Sequence, residues 1–190
     1  MSFFLKTCLF FLLIQTKSLF AQEISIFIID ETNANQAESM IYQDEAFLLF
    51  KKLHKRYAAH YPVEMFTSLF NNQIESVKDG QSKLFLALSN NKVIGNIFTV
   101  YNENHKMTQL RFLGFDTNLT QEECTKIFEK VIKNIKHNDI STSKGICCVT
   151  NKIIVNYLWL FEKLNLLKNP SLFGADKYNP ENYDWYSRNY

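Results

Sequence analysis

The stretch GFDTNLTQEECTKIFEKVIKNIK (Gly114–Lys136) decides how the chain folds. An apolar segment, LRFLGF, leads into it, and apolar residues then recur in steps of three and four at Cys124, Ile127, Phe128, Val131, Ile132 and Ile135. This pattern predicts a β-strand that turns directly into an amphipathic helix. The start of such a helix exposes unpaired backbone N–H groups, which can bind a phosphate. Glycine usually lets the phosphate approach, but the turn here carries Thr120, Gln121, Glu122 and Glu123.

Those polar residues predict that the helix is capped by its own side chains. Thr120 and Glu123 have the spacing of a capping box, in which each side chain accepts a hydrogen bond from the other residue's backbone N–H group. The carboxylates of Glu122 and Glu123 also suit the positive end of the helix dipole, and they repel an anion of the same sign. The sequence therefore favours an ordinary capped helix over a phosphate site at this turn.

The segments before this stretch alternate between strand and helix patterns. A β-rich segment at Glu23–Asp30 precedes two amphipathic helices. Pro62 ends the first helix and Gly80 ends the second. The strands KLFLAL and KVIGNIFTVY then flank Asn90-Asn91, a pair typical of a tight hairpin. A further strand, KMTQLRFLGF, leads into the turn.

The segments after the helix complete the predicted domain. GICCVT is typical of a strand, and an amphipathic helix follows with Ile154, Tyr157, Leu158, Phe161 and Leu164. The aromatic tail has strand character at its start and at YDWYSR. The order β-α-α-β-β-β-α-β-α-β(β) predicts a single α/β domain over residues 22–190, with one mixed sheet and helices on both faces.

Residues 1–21 are typical of a secretory signal peptide. Lys6 is followed by an apolar run from Cys8 to Ile14, and polar residues then lead to Ala21 before Gln22. The apolar run is too short for a stable membrane span. We therefore expect the mature protein to be exported, to the periplasm or outside the cell.

Charge and cysteine usage exclude several classes of partner and site. Residues 1–21 contain two of the 21 basic residues and no acidic residue, so the mature chain is formally neutral and has no field to attract nucleic acid. Its cysteines, Cys124, Cys147 and Cys148, are odd in number and lack CxxC spacing, which indicates buried thiols rather than disulfides or a zinc site. His54 and His60 do not share a helical face. No metal site is predicted.

Two local motifs and the element order resemble the GNAT superfamily of acyl-CoA-dependent N-acyltransferases. QLRFLGFDT (Gln109–Thr117) is similar to the family's fourth strand, and LFEKLNL (Leu160–Leu166) is similar to its LYEKLGF motif. The resemblance implies that the strands at Leu110–Phe115 and Gly145–Val149 splay apart. An acyl-CoA thioester would lie in the gap between them.

The resemblance also implies which residues would hold acetyl-CoA or another acyl-CoA, if the protein is active. They are Leu113 and Phe115 on the fourth strand and Thr120, Gln121, Glu123, Cys124 and Thr125 at the start of the helix. The family carries an Arg/Gln-x-x-Gly-x-Gly/Ala loop at this start. Here Thr120, Glu123 and Thr125 replace its diagnostic residues. These replacements imply that the chain, if it belongs to the family, is a divergent member with an altered coenzyme A loop.

The catalytic positions implied by the resemblance are also altered. Gln109 stands where many members carry a carboxylate base, and Phe161 stands where they carry a tyrosine acid. An amide and a phenyl ring cannot exchange protons, so no catalytic residue is assigned. Two hypotheses follow. The protein is an N-acyltransferase acting on an amine, or it is an exported, non-catalytic interaction module that has lost coenzyme A binding and contacts a protein partner.

Overall fold

The structure is a computed structural model that describes most of the chain. The described residues are 23–57, 62–103, 105–138, 143–151, 158–169 and 183–190. The predicted signal peptide, His60, and the apolar positions Ile154 and Tyr157 lie outside them.

The described residues form seven strands and four helices in the predicted order. The strands are β1 (Ser25–Ile29), β2 (Ser82–Ser89), β3 (Lys92–Asn102), β4 (Met107–Phe115), β5 (Gly145–Asn151), β6 (Leu167–Lys168) and β7 (Tyr183–Asn189). The helices are α1 (Ala37–Tyr57), α2 (Val63–Lys78), α3 (Gln121–Asn138) and α4 (Leu158–Lys163). None of these helices combines the length and the hydropathy needed to cross a bilayer.

The strands form one mixed sheet in the order β1-β2-β3-β4-β5-β7-β6. The β4–β5 pair is parallel, and the other neighbouring strands are antiparallel. Apolar residues of α3 and α4, including Phe128 and Phe161, pack with one set of strand residues. Apolar residues of α1 and α2, including Phe50 and Phe70, pack with a different set of strand residues. The predicted α/β fold, with helices on both faces of a single sheet, is confirmed.

The parallel pairing of β4 and β5 is short, and this confirms the predicted gap. The paired residues are Thr108–Ile146, Gln109–Cys147 and Leu110–Cys148. Beyond Leu110, β4 continues to Phe115 without pairing to β5. Phe112 has a φ of 50°, and the β3–β4 register shifts between Asn96 and Phe98. Such an irregularity bends a strand away from its neighbour.

Two turns predicted from sequence also take the expected conformations. Asn90 and Asn91, which connect β2 and β3, have φ values of 50° and 57°. Positive φ at both positions matches the right-handed twist of a two-stranded hairpin, and asparagine tolerates it. Gly80 follows the end of α2 with a φ of 73°, a conformation in which glycine avoids the strain of a Cβ atom.

Candidate functional site

The turn from β4 to α3 is closed by a capping box, as the sequence predicts. The backbone N–H of Thr120 donates to Oε2 of Glu123 at 2.7 Å, and the backbone N–H of Glu123 donates to Oγ1 of Thr120 at 3.3 Å. The Thr120 hydroxyl also donates to Oε2 of Glu123 at 2.8 Å. The side chains of the turn therefore occupy two backbone donors that an anion would need.

A long-range ion pair also fixes the turn to α1. Oδ1 of Asp116 accepts a hydrogen bond from the backbone N–H of Asn118 at 2.9 Å and from Nζ of Lys52 at 3.0 Å. Partial burial acts to raise the pKa of Asp116, but the bonds from Asn118 and Lys52 outweigh it and lower the pKa below its ordinary value. The Asp116 carboxylate is consequently ionised at neutral pH and keeps these contacts.

A second carboxylate adds negative charge at the start of α3. Oε1 of Glu122 lies 2.8 Å from Nζ of Lys126, one helical turn further along. The hydrogen bond and charge of Lys126 lower the pKa of Glu122. Both side chains are exposed, and water screens such a pair strongly. Glu122 and Glu123 together carry two negative charges against the one positive charge of Lys126, and this net negative charge disfavours an incoming diphosphate.

The other residues implied for coenzyme A at the helix start divide between the surface and the core. Gln121 is exposed, whereas Cys124 and Thr125 are buried. The Thr125 hydroxyl donates to the backbone carbonyl of Gln121 at 2.7 Å. Burial, together with the charge of Glu123, raises the pKa of the Cys124 thiol to about 11. The thiol therefore stays protonated at neutral pH and is a poor nucleophile.

The end of β4 has a backbone edge that does not pair with β5. Phe115 is buried in the core below α3, and Leu113 packs partly buried against the same core. One edge of this part of β4 is paired with β3 through Arg111, Gly114 and Phe115. On the other edge, the pairing of β4 with β5 stops at Leu110 among the described residues. An unpaired strand edge can bind an extended ligand through backbone hydrogen bonds. That Leu113, Phe115 and the helix-start residues bind a cofactor stays a prediction.

The positions implied for catalysis lie on opposite sides of the sheet. Phe161 is buried on the α3 side, with its ring centroid 5.3 Å from that of Tyr186. Gln109 is also buried, and its Oε1 accepts hydrogen bonds from Nε and Nη2 of Arg111 at 3.2 Å and 2.9 Å. Sequence reasoning missed Arg111, although alternation along β4 places positions 109 and 111 on one face.

A groove of about 630 Å³ lies beside α3. It is lined by Glu23, Ile24, Ser89, Ile94, Asn118, Leu119, Glu123, Lys126, Glu129, Lys130 and Lys133. These residues lie just before β1, at the end of β2, near the start of β3, and in α3 with its preceding turn. Within the described ranges, no group of three or more potential ligands could hold a metal ion.

Comparisons with solved structures find acetyltransferases with a similar fold. No protein-family model matches the chain, and no curated protein sequence matches it. Among solved structures, an acetyltransferase of the GNAT family from Staphylococcus aureus is similar, with a TM-score of 0.64 and 17% identity over 87% of this chain and 99% of that one. An acetyltransferase from Streptococcus agalactiae gives a TM-score of 0.64 at 13% identity, covering 88% of this chain and 98% of that one.

The catalytic domain of the Tetrahymena GCN5 histone acetyltransferase, solved in complex with coenzyme A, gives a TM-score of 0.56 at 14% identity. The match covers 87% of this chain and 92% of that one. At such identities the likeness establishes architecture, since one fold hosts many activities. The element order, the short β4–β5 pairing and these structural neighbours agree with the motifs at Gln109–Thr117 and Leu160–Leu166. The chain therefore has the fold of the GNAT acetyltransferases.

Proposed function

We propose that this protein is an N-acyltransferase that transfers an acyl group from an acyl-CoA thioester to an amine. The supporting observation is the backbone edge of β4 after Leu110, which faces the gap and lacks a partner strand in the described part of the chain. This edge can hold an extended thioester donor in place. The relative in complex with coenzyme A has the same fold.

The proposed reaction requires positioning more than proton transfer by side chains. The neutral amine attacks the thioester carbonyl carbon, a C–N bond forms, and the C–S bond breaks. The nitrogen then loses a proton to water, and the departing thiolate takes one from water. Holding an amine against a thioester supplies a large part of the rate by itself. The absence of proton-transfer groups at Gln109 and Phe161 is expected to lower the rate by about 10²–10⁴-fold relative to an acid–base mechanism.

Release of free coenzyme A tests this function. The purified protein is incubated with millimolar acetyl-CoA and a pool of primary amines, and thiol release is followed while mass spectrometry identifies N-acetylated products. We expect slow release that depends on both the amine and the folded protein. Samples without amine and samples of unfolded protein serve as controls. If the release of free coenzyme A does not increase with any amine at any acetyl-CoA concentration, the proposed activity is contradicted.

A second function, an exported non-catalytic interaction module, is favoured by the capping box. Thr120 and Glu123 satisfy the helix start without any ligand, so the fold does not depend on coenzyme A there. Export would also separate the protein from acyl-CoA, which is a cytosolic metabolite. For this candidate we expect the protein isolated from its own host to begin at Gln22 or within a few residues of it. N-terminal sequencing measures this, and an intact Met1 in a soluble fraction would contradict export.

A further inference from the structure

The side chains of Gln109 and Arg111 contact each other on the sheet face opposite α3, and both carry hydrogen-bond donors. Leu110, between them, belongs to the core below α3, so alternation turns its two neighbours the other way. The β5 neighbour of Gln109 is Cys147, which packs in a buried cluster with Met107 and Trp185. Gln109 therefore lies beside an apolar surface that offers few hydrogen-bond partners.

The Arg111 guanidinium fixes the orientation of the Gln109 amide. Both hydrogen bonds end on Oε1, and a guanidinium has only donors, so the amide oxygen must face it. The amide nitrogen, Nε2, then points elsewhere, and it is a buried atom without a hydrogen-bond partner among the described residues. Gln109 as a whole is only 1% exposed. Buried donors of this kind are rare in folded proteins and call for a ligand or another explanation.

Arg111 adds to this donor a positive charge that has no acidic partner among the described residues. The two hydrogen bonds to Gln109 are the only ones of the Arg111 side chain within the described residues, and the ion pairs found there join other residues. The side chain is half-buried, so part of the guanidinium remains accessible to a ligand. Arginine has five N–H donors in a planar fork that matches a carboxylate, and most of those of Arg111 bind no other described residue.

We infer that Gln109 and Arg111 form a binding site for a carboxylate. One carboxylate oxygen can accept from the free N–H groups of Arg111, which is half-buried. The other can accept from Nε2 of Gln109 once the side chains that bury this atom move aside on binding. A single negative charge balances a single guanidinium, whereas a phosphate dianion would need further donors. The carboxylate belongs to an amino-acid-like acceptor, a point that rests on the proposed acyl transfer. The carboxylate site itself does not depend on that activity.

Equilibrium binding measured by calorimetry tests the site. The purified protein is titrated with glycine, L-alanine, L-glutamine and L-phenylalanine, each paired with its C-terminal amide, and separately with inorganic phosphate. We expect at least one free amino acid to bind at least about tenfold more tightly than its amide, since a charge-assisted bond is lost in the amide. Equal binding within each pair, binding of phosphate alone, or binding of none would overturn the inference.

Three variants locate the binding. Arg111→Gln removes the charge, and Gln109→Glu places a carboxylate in the site, where it pairs with Arg111 and repels the ligand. Both are expected to weaken amino-acid binding at least about tenfold. Arg56→Gln makes the same charge change on the exposed part of α1 and should leave binding unchanged. Full affinity in folded Arg111→Gln, verified by circular dichroism, would overturn the assignment of the site.

Two outcomes separate this inference from the proposed function. Carboxylate-dependent binding without any acetyl transfer would sustain the site and contradict the acyltransferase proposal. Acetyl transfer that is equally fast to each amino acid and to its amide would sustain the acyltransferase proposal and contradict the carboxylate site.

Discussion

Acetyl-CoA is expected to bind this protein with a dissociation constant no tighter than about 1 mM, a free energy near −4 kcal/mol. The capping box of Thr120 and Glu123 occupies backbone donors at the start of α3, so a pyrophosphate would have to displace it. The carboxylates of Glu122 and Glu123 repel the same group. A like-charge contact at about 4 Å costs on the order of 1 kcal/mol in water and more when it is partly buried. Isothermal titration calorimetry measures the affinity.

A double substitution at this turn should change affinity and stability in opposite directions. Gln121→Gly combined with Glu123→Gly removes the capping box and one carboxylate, and it leaves room for a phosphate to approach. We expect tighter binding of acetyl-CoA by calorimetry. The free energy of unfolding, measured by urea denaturation, should fall by about 1–2 kcal/mol through lost capping and added backbone entropy.

The matched control for this variant is Glu129→Gly. Glu129 is an exposed residue further along α3, so the change also removes a carboxylate and adds a glycine, at a cost of about 1 kcal/mol. It should leave acetyl-CoA affinity unchanged, because it does not touch the turn. Micromolar binding of acetyl-CoA by the unsubstituted protein would show that the closed helix start is the wrong interpretation, and it would strengthen the acyltransferase proposal.

Gly145→Ala is expected to lower the free energy of unfolding by about 3 kcal/mol or more. A Cβ atom at Gly145 would collide with the backbone carbonyl oxygen of Arg188 and would lie 2.8 Å from Cα of Asn189. Both obstacles are backbone atoms of β7, which pairs with β5 along its whole length. They cannot move aside without breaking that pairing. Urea denaturation followed by circular dichroism measures the loss.

Gly80→Ala provides the comparison for this substitution. Its nearest neighbours are side-chain atoms of Glu31 at 3.6 Å and beyond, which is ordinary contact, but its φ of 73° strains any residue with a Cβ atom. We expect a smaller loss of about 1 kcal/mol. If Gly145→Ala lowers the free energy of unfolding by less than Gly80→Ala does, β5 and β7 are not as closely apposed as described.

The amino-acid sequence by itself determined the features that depend on neighbouring residues. The element order follows from apolar periodicity, and the hairpin at Asn90-Asn91 follows from the tolerance of asparagine for positive φ. The capping box needs only Thr120 and Glu123, three positions apart at the start of a helix. The burial of Cys147 and Cys148 on opposite faces follows from strand alternation. Two short motifs together with the element order were enough to indicate the GNAT fold.

The tertiary structure alone decided features that join distant segments or depend on where pairing stops. The Lys52–Asp116 ion pair spans 64 positions in the sequence, and the need for glycine at Gly145 depends on the approach of β7. From the sequence, Gln109 could only be recognised as a residue that replaces the family's carboxylate base. The structure shows that Arg111 occupies its oxygen and that its nitrogen is left as a buried donor. Such a pairing cannot be read from spacing, because the free energy of a buried polar group depends on every atom packed around it.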